Sequence, residues 1–297
     1  MEQFVSPKLV AKAIGVSESS IKRWCDQGLL ATVRTAGGHR RLEARTVVEF
    51  VRQTGQRFVA PQLVGLPADT GRGEPTREVA VELLCDALCA GDEAIVRRML
   101  FDLYLARQPL ADVFDDVLTP VMHRIGERWE HSGLEVYQER RACEIVSRVL
   151  AELRRALPPA ADDAPYALGG TLSSDPYQLA TAMVEISLRE AGWRAESYGT
   201  SLPLATLTAA INDTRPRLCW LSVSYIANDA DFLSDFGVFA EVAARQGTAL
   251  VLGGRALTEG LRRQMRYTGY CDTFRQVVDL SAAIYRPTTS SLSEKME

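Results

Sequence analysis

The strongest constraint on the fold comes from residues 164–286, where short apolar runs alternate with helical patterns. The strands are predicted at residues 166–172, 194–198, 218–224 and 249–252, with a weak one near Tyr270. The helices are predicted at residues 178–191, 204–212, 231–246, 257–266 and 274–285. Because strands that alternate with helices pair in parallel, this segment predicts a doubly wound parallel sheet.

The preceding segment, residues 76–157, has long helical patterns with short interruptions at Gly91-Asp92 and Gln108-Pro109. After a first helix that ends at Gly91, helices are predicted over residues 93–107, 111–130 and 136–157. Helices joined by short turns pack as antiparallel neighbours, so the segment predicts a four-helix bundle.

Residues 1–57 contain two short helical patterns, a basic hairpin and a third helix. Ser6-Pro7 and Ser17 are typical helix starts, and Gly15 and Gly28 are typical helix ends. Strands at residues 29–33 and 41–42 enclose the Gly37-Gly38 turn, and residues 44–53 form the third helix. Two helices joined at a glycine, followed by a hairpin, predict a winged helix-turn-helix.

The charge distribution supports a nucleic-acid partner for this head. Residues 1–60 have ten lysines and arginines against five acidic residues, which is +5, and the rest is −9 because the whole chain carries −4. Such an asymmetry suits a head that binds phosphates and a body that does not. The alternative is a solvated basic loop.

Composition divides the chain further and excludes several classes of protein. Prolines and glycines make residues 58–75 a predicted linker, and residues 287–297 a predicted flexible tail. No apolar stretch approaches about 18 residues and no secretory signal begins the chain, so we expect a cytoplasmic protein without a membrane partner. The six cysteines are scattered without a CxxC pair, which favours reduced packing thiols and no metal site. No catalytic constellation is present, so we expect no enzyme.

The head resembles the winged-helix head of MerR-type transcription regulators and related excisionases through "VAKAIGVSESSIKRW" and "RTAGGHRRL". The resemblance implies that Ser19, Ser20, Lys22 and Arg23 face the major groove. It also implies that Arg34, His39, Arg40 and Arg41, around the turn residues Thr35, Gly37 and Gly38, touch phosphates or a minor groove. No heptad run follows the head, so oligomerisation requires another surface.

The sequence "IGERWEHSGLEVYQERRA" resembles the helical cap of corrinoid methyltransferase modules and of light-responsive repressors of the CarH/LitR type. In those repressors a Trp and a Glu-His pair cover the upper face of adenosylcobalamin. Trp129 and Glu139 match this pattern, whereas Arg140 replaces the histidine. The alternative is that Trp129 is a core residue of the bundle.

Residues 164–286 resemble the cobalamin-binding domain, which has a flavodoxin-like fold and whose first strand is followed by Asp-x-His-x-x-Gly. Here Asp175 is kept, Tyr177 replaces the metal-binding histidine and Ala180 replaces the glycine. The serine turn after the third strand and the glycine pair after the fourth also match; these residues are Ser222, Ser224, Gly253 and Gly254. A phenol is a poor substitute for an imidazole ligand, so we expect base-off, His-on cobalamin binding to be lost.

These patterns predict a DNA-binding transcription regulator of the MerR/CarH-like type with a degenerate cobalamin-type sensor. Three alternatives remain for the sensor: no ligand and a role in assembly, a tetrapyrrole such as haem or a bilin, or a corrinoid without the lower histidine. Expected partners are a double-stranded operator, further copies in a dimer or larger oligomer, and a small-molecule or protein effector. A corrinoid carrier for methyl transfer and a phage-type excisionase are the alternatives from other classes.

Overall fold

A computed structural model of the chain describes residues 4–68, 70, 77–130 and 134–285. The chain divides into two compact units, Met1–Pro159 and Ala160–Glu297. Part of the predicted linker (residues 71–75) and the predicted tail (residues 287–297) lie outside the described residues. The head and the following helices share the first unit, and the alternating segment makes the second.

The head, residues 4–57, combines three helices with a small antiparallel sheet of order β1-β3-β2. Its elements are β1 (Phe4–Val5), α1 (Pro7–Ile14), α2 (Glu18–Asp26), β2 (Val33–Arg34), β3 (Arg40–Glu43) and α3 (Ala44–Thr54). The strands predicted at residues 29–33 and 41–42 are shifted, because the amides of Leu29 and Leu30 donate to Trp24 O at the end of α2. β1 was not predicted, because a two-residue strand has no periodicity of its own.

The first two helices begin and end as their sequences indicate. Ser6 Oγ accepts a hydrogen bond from Leu9 N, and Ser17 Oγ accepts one from Ser20 N. Gly15 ends α1 at φ +78°, a left-handed conformation that glycine adopts without steric cost. Ile21 is fully buried, and Trp24 packs on Phe50 of α3 with ring centroids 4.9 Å apart.

The first part of the predicted linker is packed against the head. The amides of Val59 and Ala60 both donate to Ala13 O at the end of α1. A 3-10 turn, Pro61–Val64, follows, and Phe58, Val64 and Leu66 are buried. The composition of this segment predicted a linker, but its apolar residues cover the end of α1.

The helical segment of the first unit occupies most of the predicted positions. It comprises α4 (Arg77–Ala90), α5 (Glu93–Leu105), α6 (Leu110–Val113), a π turn (Phe114–Leu118), α7 (Thr119–Glu130) and α8 (Val136–Ala156). The helix predicted at residues 111–130 is therefore interrupted. Pro120 has no amide hydrogen and its ring clashes with an i−4 carbonyl. A π turn just before it, in which Thr119 N donates to Phe114 O, accommodates the proline.

Two arginines join the head to this helical segment. Arg52 of α3 donates to Tyr104 O in the last turn of α5 at 3.0 Å and to Gln108 O just after this helix at 3.4 Å. Arg107 donates to Arg52 O and Gln53 O, at 2.5 and 2.7 Å, at the end of α3. The last carbonyls of a helix have no partner within it, and Arg107 supplies one at the end of α3, whereas Arg52 adds to the hydrogen bond that Tyr104 O already accepts from Arg107 N.

The second unit is built on a five-stranded parallel sheet of order β5-β4-β6-β7-β8. The strands are β4 (Tyr166–Gly170), β5 (Arg194–Ser197), β6 (Leu218–Ser222), β7 (Ala249–Gly253) and β8 (Gly269–Tyr270). The helices are α9 (Gln178–Glu190), α10 (Leu204–Thr214), α11 (Asp229–Gln246), α12 (Glu259–Arg262) and α13 (Phe274–Ile284). Renumbered from β4, this is the 2-1-3-4-5 order of flavodoxin-like sheets, and the predicted doubly wound parallel sheet is confirmed.

Hydrophobic cores cover both faces of the sheet. One contains Leu207 of α10 and Phe236 and Phe239 of α11; the other contains Val184 of α9 and Val277 of α13. The helix predicted at residues 257–266 is wrong in length, since α12 has only four residues. Leu257, Leu261 and Met265 have helical spacing because all three enter the first core from a short helical turn.

Gly169 provides a stability test of the second unit. A Cβ at this position would collide with the ring and the carbonyl oxygen of Trp220, a fully buried residue of β6. We expect Gly169→Ala to destabilise the unit by about 2 kcal/mol or more, as overpacking does. Urea denaturation followed by fluorescence measures this change. Gly237→Ala in α11, where a Cβ meets nothing within 4 Å, is the control and should not destabilise. Equal midpoints for the two variants would contradict the packing described.

Candidate nucleic-acid interface and candidate ligand site

The outer surface of α2 carries most of the residues predicted to face a major groove. Ser19, Lys22 and Arg23 are exposed, whereas Ser20 is half-buried and shares a hydrogen bond with Ser17 Oγ at 2.9 Å. Lys22 Nζ lies 2.9 Å from Glu18 Oε1 one turn earlier. Exposed i,i+4 pairs of this kind are weak, so they do not prevent the lysine from binding another anion.

The hairpin turn holds its own backbone in place. Thr35 N donates to His39 O, Gly38 N donates to Thr35 O, and His39 N donates to Thr35 Oγ1. Gly38 has φ +78°, which requires glycine, whereas Gly37 has ordinary space for a side chain. All residues from Thr35 to His39 are exposed. A short, self-bonded turn with an exposed imidazole is suited to approach a nucleic-acid backbone.

The three hairpin arginines have different environments. Arg34 is exposed and stands opposite Arg40 in the strand register. Arg40 Nη2 donates to Asp26 Oδ1 at 2.5 Å, and Arg41 Nη1 donates to Arg40 O at 3.0 Å. The structure therefore places these predicted residues on one hairpin beside α2. The Arg40 guanidinium is bound to α2, and its contact with a phosphate stays a prediction.

The predicted cap residues of the helical segment are at the surface. Trp129 is 44% exposed, so the alternative of a core tryptophan is wrong. Glu139 accepts a hydrogen bond from Cys143 Sγ at 3.3 Å and lies 3.5 Å from Arg140 Nε. Burial, followed by the nearby Glu139, raises the pKa of the Cys143 thiol to about 12, so this thiol stays neutral and donates.

The carboxyl edge of the parallel sheet is organised by Asp175. Its side chain is fully buried, and Oδ1 accepts from Tyr177 N at 3.1 Å. Oδ2 accepts from Ser224 N at 2.6 Å and from Tyr225 N at 3.1 Å. One carboxylate therefore joins the loop after β4 to the loop after β6.

The other predicted ligand residues lie on neighbouring loops of the same edge. Ser222 ends β6 and is buried, and Gly253 pairs with it at the end of β7. Gly254 has φ +114°, and a Cβ there would collide with Val223 O, so the glycine is required for close approach of two backbones. Tyr177 is 45% exposed, and the Arg255 guanidinium lies 5.5 Å from its ring centroid.

These residues do not fit cobalamin held by a lower imidazole. A ligating histidine is usually oriented by a carboxylate, but both oxygens of Asp175 already accept backbone amides, one of them from Tyr177 itself. Above Gly169 the space is filled by Trp220, whose Nε1 donates to Thr181 Oγ1 at 2.9 Å. Within the described ranges, no group of three or more His, Cys, Asp or Glu could hold a metal ion.

The sequence did not reveal several partners within these sites. Asp26, which binds Arg40, and Arg255, which lies over Tyr177, belong to no motif. For the contact between Arg40 and Asp26, the only signal in the sequence was an acidic residue at the end of α2.

Among the described helices, none is both long and apolar enough to cross a membrane. All six cysteines are free thiols, and three of them, Cys85, Cys219 and Cys271, are buried.

The fold defines a class: a helical segment followed by a parallel α/β sheet of the kind found in corrinoid-binding proteins. Residues 80–154 match the family model described as the B12 binding domain. Over 266 residues the chain is 28% identical to the HTH-type transcriptional repressor CarH of Myxococcus xanthus, covering 84% of this chain and 88% of that one. The predicted resemblance to CarH-type regulators is thereby confirmed, and this relative is a repressor rather than an enzyme.

A solved structure shows the same fold. The Methanosarcina barkeri monomethylamine corrinoid protein superimposes with a TM-score of 0.60 at 13% identity, and covers 71% of this chain and 100% of its own. At this identity the likeness concerns the fold alone.

Asp175 gives a test of the loop arrangement. Asp175→Ala would leave three amides of the carboxyl edge without their acceptor, so we expect the second unit to lose about 3 kcal/mol. Asp175→Asn keeps one acceptor oxygen and should lose about half as much. Native-state hydrogen exchange of β4 and β6 amides measures both changes, with the exposed Asp163→Ala as a control near zero. Unchanged exchange in Asp175→Ala would show that the carboxylate does not hold the two loops.

Proposed function

We propose that the chain is a DNA-binding transcription regulator of the MerR/CarH-like type. In this proposal residues 1–57 are a winged helix-turn-helix, residues 76–157 a four-helix bundle, and residues 164–286 a sensor-type domain. The observation that carries it is the basic hairpin beside the exposed surface of α2 on one small head. The repressor CarH, similar over most of the chain, supports the same function.

In the proposed complex, α2 enters the major groove and the hairpin lies along the backbone. Ser19, Lys22 and Arg23 contact base edges, because hydroxyl, ammonium and guanidinium groups read the donor and acceptor pattern there. Arg34, His39 and Arg41 contact phosphates or a minor groove, with the turn at Thr35, Gly37 and Gly38 close to the DNA. Ser20 supports the start of α2 through Ser17.

We further propose that the sensor domain acts without adenosylcobalamin in its His-on form. The observations behind this are Tyr177 at the lower ligand position and an Asp175 carboxylate whose oxygens accept three backbone amides. In the cap, Arg140 replaces a histidine and Trp129 remains exposed. The domain then serves assembly, or takes a tetrapyrrole such as haem, a bilin or a corrinoid without the lower imidazole.

Exposed aromatic residues favour a flat ligand as the second candidate. Tyr177 and Tyr225 are 45% and 47% exposed at the carboxyl edge, where doubly wound sheets bind ligands. The proposal also includes cytoplasmic location and a homo-oligomer, a dimer or larger, because such heads usually read two half-sites. A corrinoid carrier for methyl transfer is disfavoured by the residue at position 177.

Arg23 tests the reading of DNA by α2. A preferred duplex is first selected from a random pool with the full chain. Arg23→Ala should then reduce discrimination between this duplex and a scrambled one by about 1–3 kcal/mol, the worth of a base contact. Gel shift or fluorescence anisotropy measures the two affinities. Arg245→Ala, an exposed arginine of the second unit, is the matched control and should change neither affinity. If Arg23→Ala distinguished the two duplexes as well as the wild-type chain does, α2 would not read the DNA sequence through this residue.

A further inference from the structure

The guanidinium of Arg40 is held by the end of α2. Nη2 donates to Asp26 Oδ1 at 2.5 Å, and Nη1 donates to Lys22 O at 3.4 Å. The side chain is 26% exposed, whereas the Asp26 side chain is 61% exposed. Arg40 is therefore the shielded member of this ion pair, and two of its nitrogens are bound to α2.

The strand register explains why one hairpin arginine is held in this way. Arg34 and Arg40 are directly opposed on the paired strands β2 and β3, so their side chains leave the same face of the hairpin. Like charges at directly opposite positions repel. The Asp26 carboxylate neutralises the charge of Arg40, whereas the charge of Arg34 stays exposed.

The position of Arg40 also suits the end of a helix. Asp26 is the last residue of α2, and the last carbonyls of a helix carry a partial negative charge. A guanidinium at this end satisfies both the carboxylate and the backbone. If Arg40 moved to a phosphate, two hydrogen bonds would break and the Asp26 carboxylate would be left uncompensated beside anionic DNA.

We propose that Arg40 is a positioning residue that fixes the hairpin against α2, and that it does not bind phosphate. This inference rests on the proposed DNA-binding function. In it, Arg40 sets the distance between the helix that reads bases and the hairpin that follows the backbone. Arg34 on the opposite strand supplies the phosphate contact.

The salt dependence of DNA binding distinguishes the two roles. Each phosphate neutralised by the protein contributes about 0.9 to the slope of log K against log salt. Arg34→Gln should therefore make the slope shallower by about 0.9. Arg40→Gln should keep the wild-type slope and weaken binding to the selected duplex by about tenfold at every salt concentration, as loss of a coupled contact does. Its preference over a scrambled duplex should fall, which a loss of general stability would not cause in a chain that is still folded by circular dichroism.

The opposite results would overturn the assignment. If the salt slope of Arg40→Gln became shallower, as expected for Arg34→Gln, Arg40 would be a phosphate contact. If the affinity of Arg40→Gln for the selected duplex were unchanged, Arg40 would have no role in DNA binding. Asp26→Ala is a second test. If Arg40 is a positioning residue, this variant should bind the selected duplex more weakly and keep the wild-type salt slope. Tighter binding with a steeper slope would mean that Asp26 merely competes with DNA for Arg40.

A measurement without DNA separates this inference from the proposed function. If the wild-type chain bound neither the selected nor the scrambled duplex at low salt, the proposed function would be wrong. The contact itself is still tested by amide hydrogen exchange of Thr35 and Gly38, which are hydrogen-bonded within the hairpin. Arg40→Gln should speed their exchange and Arg34→Gln should not; equal exchange in both variants would show that Arg40 does not hold the hairpin.

Discussion

Two arginines, one from each side, hydrogen-bond the head to the helical segment that follows it. Arg52 donates to a carbonyl in the last turn of α5, and Arg107 donates to carbonyls at the end of α3. Arg52 also lies over the ring of the fully buried Tyr104, whose hydroxyl donates to Glu49 of α3 at 3.2 Å. These hydrogen bonds and the ring contact join the head to the helices in addition to the covalent chain.

A second constraint is the buried carboxylate of Asp175. In the cobalamin pattern this residue precedes a metal-binding histidine by two positions, and here it precedes Tyr177. The carboxylate now accepts the amides of Tyr177, Ser224 and Tyr225, so it holds two loops together without any ligand. These three hydrogen bonds hold the loops whichever side chain stands at position 177, because two of the amides belong to the other loop and the third is backbone. The side chain at position 177 is a phenol, so this carboxylate has no imidazole to orient.

Much of this architecture followed from the sequence, because it depends on local periodicity and on residues that start or end helices. The alternating pattern of residues 164–286 predicted the parallel sheet, and Ser6, Ser17 and Gly15 marked the ends of α1 and α2. The errors arose where partners distant in sequence decide the outcome. The segment after residue 57 packs on α1, the spacing of Leu257, Leu261 and Met265 reflects one core rather than one helix, and the partner of Arg40 is an acidic residue outside any motif. The predicted DNA and ligand residues lie in the expected elements, but the hydrogen-bond partners of their side chains could not be predicted from the sequence.

We propose that the head binds DNA and that this binding does not depend on adenosylcobalamin in the sensor domain. The most direct measurement is the affinity of the full chain for its selected duplex, with and without adenosylcobalamin, in the dark and after green light. We expect one affinity under all these conditions, because Tyr177 and Arg140 stand where the cobalamin pattern has histidines. Tighter binding with adenosylcobalamin in the dark, lost after illumination, would contradict it.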